Sequence, residues 1–231
     1  MTDVSKDLLP LKRILSRINY HADMYTVMSD FFAVAACEIS RSVDLVTARQ
    51  KNEFLAYVRK KYTDDEMSIF GSAFGETIRL FSTCGLNDWL GDLYMNSETS
   101  ADKAGQFFTP YHVSKMIAKC VADQTIERID NGENVVVVSE PACGSGGMIL
   151  ALCDVLQESG INYCEHVIAD CSDIDQRCVH MAYVQMSLAG IPAVIRLQDT
   201  LSTETPGREW HTPALIFNWM KFGGYVRRRC G

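Results

Sequence analysis

Helical periodicity dominates the first hundred residues of the chain. Two sets of apolar side chains recur at intervals of three and four positions, namely Leu11, Ile14, Leu15 and Ile18, and then Met24, Val27, Met28 and Phe31. This spacing places each set on one face of an α-helix. Looser repeats of the same kind continue as far as Phe81. We therefore predict an all-helical N-terminal lobe over residues 1–100.

The pattern changes after Gly105 to short apolar runs that alternate with helical stretches. The runs predict strands at residues 134–139, 166–171, 193–197 and 214–217. Helices are predicted at residues 147–157 and between the second and third strands, where Gly190 ends the helical pattern. This alternation is typical of a parallel sheet with crossover helices. We therefore predict an α/β domain over residues 101–231.

A glycine-rich segment joins the first predicted strand to the helix that follows it. The segment reads Glu140-Pro141-Ala142-Cys143-Gly144-Ser145-Gly146-Gly147. Glycine has no Cβ, so the backbone turns sharply there and approaches a ligand closely. The spacing is not the dinucleotide Gly-x-Gly-x-x-Gly, and no Gly-Lys-Ser/Thr of a phosphate-binding loop is present. The segment therefore predicts a ligand-binding turn, but not one for nucleotide phosphates.

Acidic residues follow the next two predicted strands. Asp173, in Asp173-Ile174-Asp175, comes after the second strand, and Asp199 comes after the third. The carboxyl ends of parallel strands meet at one edge of a sheet, so we expect both acids to lie near Glu140. There Asp173 can accept hydrogen bonds from both ribose hydroxyls of an adenosyl group. Ile174 would then pack on the adenine ring, and Asp199 would accept from its amine.

Taken in order, these segments resemble the N6-adenine DNA methyltransferases, especially the methylation subunits of type I restriction-modification systems. The resemblance covers about residues 85–222 and includes Gly105-Gln106-Phe107-Phe108-Thr109-Pro110 and Asp88-Trp89-Leu90-Gly91-Asp92-Leu93-Tyr94. It implies a Rossmann-like sheet of the S-adenosylmethionine (SAM)-dependent methyltransferases, truncated here after the fourth strand. The residues that it implies for binding SAM are Gln106, Phe107, Phe108, Thr109, Glu140, Ala142, Cys143, Gly144, Ser145, Gly146, Asp173, Ile174 and Asp199.

The chain departs from the family pattern where the chemistry is expected. The family carries Asn/Asp-Pro-Pro-Tyr/Phe after its fourth strand, and this chain has Asn218-Trp219-Met220-Lys221-Phe222. In the family, the Asn/Asp side chain and the next carbonyl accept the two hydrogens of the adenine amine, and the aromatic ring stacks on the flipped base. The resemblance thus implies Asn218 and the Trp219 carbonyl as catalytic groups, with Phe222 or Trp219 as the stacking ring.

Three functions are compatible with these residues. The first is transfer of a methyl group from SAM to adenine N6 in DNA by direct displacement. The second is a catalytically impaired SAM-binding protein that acts as a partner or regulatory subunit of a DNA modification system. The third is a SAM enzyme that acts on a protein glutamine or an RNA base. A sheet that ends at its fourth strand has an open edge, so we expect a specificity subunit, another partner subunit or a second copy to cover it.

Charge and composition indicate where DNA contacts are expected and which other kinds of site are not. The net charge of -7 disfavours a general polyanion binder, although residues 1–61 hold ten lysines and arginines against seven acids. We therefore expect DNA contacts in that part, with Arg227-Arg228-Arg229 as a second candidate. The nine cysteines and five histidines show no metal-ligand spacing, so no metal site is predicted. No membrane span or secretory signal is predicted, so a cytoplasmic protein is expected.

Overall fold

The computed structural model describes residues 4–18, 23–45, 47–96, 107–202, 207–218 and 221–222. It shows an α/β protein in which helices precede a four-stranded mixed sheet. The helices are α1 (Val4–Leu15), α2 (Met24–Arg41), α3 (Ala48–Arg59), α4 (Asp64–Arg79), α5 (Trp89–Met95), α6 (Tyr111–Asp130), α7 (Gly147–Glu158), α8 (Tyr163–His166), α9 (Gln176–Leu188) and α10 (Pro213–Phe217). The strands are β1 (Val136–Glu140), β2 (Val167–Asp173), β3 (Ala193–Leu197) and β4 (Glu209–His211). A π-helical turn, Leu80–Cys84, continues α4.

One apolar core joins the N-terminal helices to the sheet. Leu8, Phe31 and Trp89 belong to the same buried cluster as Leu150 and Tyr183. The helical character predicted for the first hundred residues is confirmed over the described part, whereas the division into two domains stays a prediction. Within the described ranges, no helix has the length and apolar character needed to cross a membrane.

The sheet has the order β1-β2-β3-β4. The first three strands are parallel, with Val136 opposite Val167 and Ala169 opposite Ala193. The first three predicted strands are therefore confirmed, and their carboxyl ends lie at one edge of the sheet. Among the described residues, β1 pairs only with β2. Its other edge faces a cavity of about 380 Å³ that α6 and α7 also line.

The prediction of a fourth strand at residues 214–217 is wrong. These residues form α10, and the fourth strand is instead Glu209–His211, antiparallel to β3. Pro213 explains the difference, because it has no N–H for a ladder and its fixed φ suits the first turn of a helix. The hydroxyl of Thr212, directly before Pro213, accepts a hydrogen bond from the Ala193 N–H and donates one to the Ile191 carbonyl. The chain therefore leaves the sheet at Thr212.

A buried lysine of the helical part holds β4 in place. The Lys51 side chain is 1% exposed, and its Nζ lies 2.8 Å from Asp44 Oδ2 and 5.0 Å from the centroid of the Trp210 ring. The Trp210 ring also packs against the edge of His180. A desolvated ammonium gains from a carboxylate and an aromatic face together. Trp210, the central residue of the short strand, is thus covered by α3 and α9.

Candidate cofactor-binding site

The glycine-rich turn lies between β1 and α7, and its backbone requires glycine at two positions. Gly144 and Gly146 have φ angles of +53° and +95°. A Cβ on Gly144 would lie 3.2 Å from the Phe108 ring, and one on Gly146 would lie 3.0 Å from the terminal methyl of Met186. Side chains are disfavoured both by the left-handed backbone and by these neighbours. The turn therefore presents bare backbone beside Phe108.

Hydrogen bonds tie this turn to the end of β2. The Cys143 N–H donates to the Ser172 carbonyl at 2.9 Å, and the Gly144 N–H donates to Asp173 Oδ2 at 2.8 Å. The other oxygen of Asp173 accepts from the Asp175 N–H at 2.8 Å. Each carboxylate oxygen has a second lone pair, so Asp173 can still accept from two hydroxyls of a ligand. The turn and the acid predicted to serve one ligand are thus in direct contact.

The other acids predicted for the site lie at the same edge. Glu140 ends β1 and accepts from the Ala142 N–H at 3.2 Å. Asp199 is exposed and accepts from the Leu201 N–H at 3.0 Å. The hydroxyl of Thr200 donates to the Pro141 carbonyl at 3.2 Å, which links the segment after β3 to the turn. The structure therefore brings the segments that follow β1, β2 and β3 together.

Aromatic side chains form one wall beside the turn. The Phe108 ring lies 5.7 Å from the Tyr94 ring, and Tyr94 lies 6.2 Å from Tyr25. The guanidinium of Arg177 covers the far face of this row, 4.5 Å from the Tyr25 centroid. Phe107, by contrast, is 77% exposed. The wall comes from α2, α5 and the segment before α6, so the helical part contributes to the site.

The remaining predicted cofactor residues occupy varied positions. Ile174 is 71% exposed directly after β2, so its side chain is free to pack on a planar ligand. Thr109 is exposed, and Gln106 lies outside the described residues. The Cys143 side chain is buried, and a hydrogen bond with Cys171, together with burial, raises the pKa of its thiol well above the usual range. Cys143 therefore has a neutral thiol, and it takes part in the turn through its backbone N–H.

No group of potential metal ligands occurs among the described residues.

The predicted catalytic residues lie away from this edge. Phe222 is fully buried against Val135, Ile168 and Val194, which stand at or near the amino ends of β1, β2 and β3. Asn218 follows α10, and its Nδ2 donates to the Ala214 carbonyl at 2.9 Å. Trp219 lies outside the described residues. The wrong strand prediction explains this placement, because a parallel strand would have carried Asn218 to the carboxyl edge.

Asp88 is part of the site, although the sequence assigned it no role. It is 3% exposed and accepts three hydrogen bonds: from Ser145 Oγ at 2.6 Å, from Gln185 Nε2 at 2.7 Å and from the Gly91 N–H at 3.1 Å. Gln185 also donates to the Ser145 carbonyl at 2.9 Å and accepts from the Leu90 N–H at 3.0 Å. From sequence, Asp88 has only the pattern of a helix N-cap before Trp89.

Asp92 makes stability depend on pH. Burial and the neighbouring Asp88 raise the pKa of Asp92 to about 6. The folded state therefore holds this proton more tightly than the unfolded chain, and stability is gained as pH falls from about 6 to about 4. We expect Asp92→Asn to raise Tm at pH 7 by roughly 2 to 4 °C, the shift that about 1 kcal/mol gives in a chain of this size. The gain should vanish at pH 4 in calorimetric scans.

The control for Asp92→Asn is Asp123→Asn, which removes an exposed carboxylate on α6. It should change Tm little at either pH. If Asp92→Asn and the wild type have the same Tm at pH 7, the raised pKa of Asp92 in the folded state is contradicted.

Asp173 allows a direct test of the site. Asp173→Ala leaves the Gly144 and Asp175 N–H groups without their acceptor and removes the acceptor that the sequence predicts for the ribose of SAM. Loss of charge-assisted hydrogen bonds costs about 1.5 to 3 kcal/mol, so SAM affinity in calorimetry should fall about tenfold or more. Glu66→Ala is the matched control, because Glu66 also accepts a backbone N–H, that of Thr63, but stands at the start of α4. Unchanged affinity in Asp173→Ala would remove Asp173 from the site.

The fold and the site together define an α/β protein with a candidate ligand site at the carboxyl edge of a parallel sheet. The family model described as N-6 DNA Methylase matches residues 86–219, more than half of the chain. The chain therefore belongs to the N-6 DNA methylase family. Searches of the curated proteins and of the solved structures gave no match.

Proposed function

We propose that this protein binds SAM at the carboxyl edge of β1, β2 and β3 and transfers its methyl group to the N6 amine of adenine in DNA. The observation that carries the proposal is the 2.8 Å hydrogen bond from the Gly144 N–H to Asp173, which joins the two segments that the family resemblance assigns to SAM. Membership of the N-6 DNA methylase family supports the reaction class.

The residues at this edge fit an adenosyl ligand. A Cβ would fill the space between Gly144 and the Phe108 ring, so the glycine keeps that surface open. Asp173 and Asp199 supply acceptors for ribose hydroxyls and for an adenine amine, and Ile174 supplies an exposed apolar face. We assign ribose recognition to Asp173, adenine packing to Ile174 and the methionine part to the segment Phe107 to Thr109.

When bound, SAM supplies the methyl group, which leaves its sulfonium sulfur for the adenine nitrogen. The lone pair of the amine is delocalised into the adenine ring, so the amine is a poor nucleophile. The task of the protein is to hold the amine nitrogen in line with the methyl group and to accept hydrogen bonds from its two hydrogens. Asn218 is the residue that the resemblance assigns to this task. Its Nδ2 is already used as a donor to Ala214, so its oxygen is the group that would accept from the amine.

The second candidate is a SAM-binding partner subunit without activity of its own. The placement of Asn218 and Phe222 favours it, because both lie near the amino ends of the strands. A five-residue strand such as β1 is about 16 Å long, so Asn218 and the candidate SAM site are on opposite edges of the sheet. Such a separation favours a protein that binds SAM without transferring its methyl group.

DNA and a further protein are the proposed partners. The exposed basic residues among the N-terminal 61 positions would contact phosphates, since the chain as a whole is acidic; Lys51 is buried and is not one of them. The open edge was expected at the fourth strand, but Lys51 of α3 packs on β4. A specificity subunit, another partner subunit or a second copy would instead cover β1, which among the described residues pairs only with β2.

One assay separates the two candidates. Purified protein is incubated with SAM labelled in its methyl group and with unmethylated DNA, and the DNA is digested to nucleosides. Label in N6-methyladenosine supports the enzyme. Binding of SAM in calorimetry without transfer to DNA supports the partner subunit. Failure of the protein to bind SAM at all would overturn both candidates.

A further inference from the structure

Asp88 is a buried carboxylate, and the described part of the chain places no cation beside it. Its side chain is enclosed between α5, the glycine-rich turn and α9, and no cationic side chain of the described residues contributes to its environment. Burial raises the pKa of Asp88, while the hydrogen bonds from Ser145, Gln185 and Gly91 favour the charged form. A buried charge that lacks an ionic partner is costly. A positive charge on a ligand at the neighbouring glycine-rich turn would offset this cost.

The carboxylate lies directly under the turn. Ser145 Oγ donates to Asp88 Oδ2 at 2.6 Å, and a Cβ on Gly147 would lie 2.7 Å from the same oxygen. Gln185 bridges the Asp88 carboxylate and the Ser145 carbonyl, so the turn is held from two sides. The family match begins at residue 86, just before Asp88, so α5 lies within the part of the chain that the family model matches.

We infer that Asp88 is a positioning residue that fixes the glycine-rich turn through Ser145 and favours a cationic ligand at it. The inference rests on the proposed function, because it assigns this ligand as the sulfonium form of SAM. S-adenosylhomocysteine differs from SAM only in lacking the methyl group and, with it, the sulfonium charge. A negative charge in a site of low dielectric constant distinguishes two such ligands, whereas a purely structural residue does not.

The test measures the affinities of SAM and S-adenosylhomocysteine by calorimetry for four proteins. Asp88→Asn keeps the shape of the side chain and removes its charge, so SAM affinity should fall about tenfold and S-adenosylhomocysteine affinity less than about threefold. Ser145→Ala keeps the charge and removes one hydrogen bond, so it should weaken both ligands by a similar factor. Ser114→Ala, which also removes a buried serine hydroxyl but lies on α6, should change neither affinity.

Hydrogen exchange of the ligand-free protein tests the positioning role separately. The amides of Gly144 and Gly146, which donate to Asp173 and to the Cys143 carbonyl, should exchange faster in Asp88→Asn and in Ser145→Ala than in the wild type. The amides of β2 should be unchanged. If Asp88→Asn fails to fold, Ser145→Ala still decides whether this contact holds the turn.

The possible outcomes separate this inference from the proposed function. Equal losses for both ligands in Asp88→Asn, or no loss for either, would overturn the role of its charge. Unchanged exchange at Gly144 and Gly146 would overturn the positioning role. If the wild type binds neither ligand, the proposed function fails and the cationic ligand fails with it, while faster exchange in the two variants would still support positioning.

Discussion

Replacing Gly144 with valine should weaken SAM binding about a hundredfold while the protein stays folded. The backbone of Gly144 has φ +53°, and the nearest atom to an added Cβ is in the Phe108 ring, 3.2 Å away. A β-branched side chain there strains the backbone and also displaces the aromatic wall. The strain lowers stability, whereas displacement of the wall should cost about 3 kcal/mol or more in binding, which corresponds to a loss in affinity of about a hundredfold. Calorimetry measures the loss, and circular dichroism reports the fold.

Gly132→Val is the matched control for the backbone strain. Gly132 also has a left-handed backbone, with φ +92°, but no atom lies within 4 Å of its Cβ position. This variant should lose a similar amount of stability and keep its SAM affinity. A Gly144→Val protein that binds SAM normally would show that the turn is only structural, and the SAM assignment would lose its main support.

The second large effect concerns turnover. If the wild type methylates DNA, Asn218→Ala should lower the rate of N6-methyladenosine formation about 10² to 10³ fold, the usual effect of losing one preorganised polar group at a reacting centre. SAM affinity should change much less, because Asn218 is not part of the turn or of the acids at the carboxyl edge.

Asn96→Ala is the control for Asn218→Ala. Asn96 ends α5 as Asn218 ends α10, and each side-chain amide donates to the carbonyl four residues earlier. The two substitutions should therefore affect stability alike, and only Asn218→Ala should affect turnover. Equal turnover in all three proteins would remove Asn218 from the catalytic centre.

A gain-of-function variant tests the case in which the wild type binds SAM but does not methylate DNA. If the wild type binds SAM but is inert, Trp219→Pro, Met220→Pro and Lys221→Tyr together restore the family motif. N6-methyladenine formed by this triple variant would support a natural chain that has lost catalysis and serves as a binding subunit. An inert triple variant would indicate that the position of Asn218, and not the motif alone, prevents the reaction.

The cofactor edge was predictable because local features specify it. The first three strands are apolar runs that end at Glu140, at Asp173 and just before Asp199, and glycines mark the turn where left-handed φ angles occur. Parallel pairing then brings the three strand ends together without further information. The contact between Gly144 and Asp173 follows from this topology.

The residues that sequence analysis misplaced depend on tertiary contacts. Residues 214–217 are a short apolar run, and such a run is compatible with either a strand or a helix. Pro213 favours the helix because it suits a first helical turn, and the helix also buries Leu215 together with Phe222. Asp88 was missed for a related reason, because an acid before a helix is usually a solvated cap. Only the packing of α5 against the turn and α9 shows that it is buried.

The shared network of Asp88, Ser145 and Gln185 limits how this protein can be recombined with its relatives. A chimaera can join the N-terminal helices of one family member to the sheet of another. A junction between α5 and the sheet would separate the carboxylate from its donors unless the new partner supplies matching groups. The permissible crossover is therefore before residue 86, so that α5 is exchanged together with the glycine-rich turn and α9.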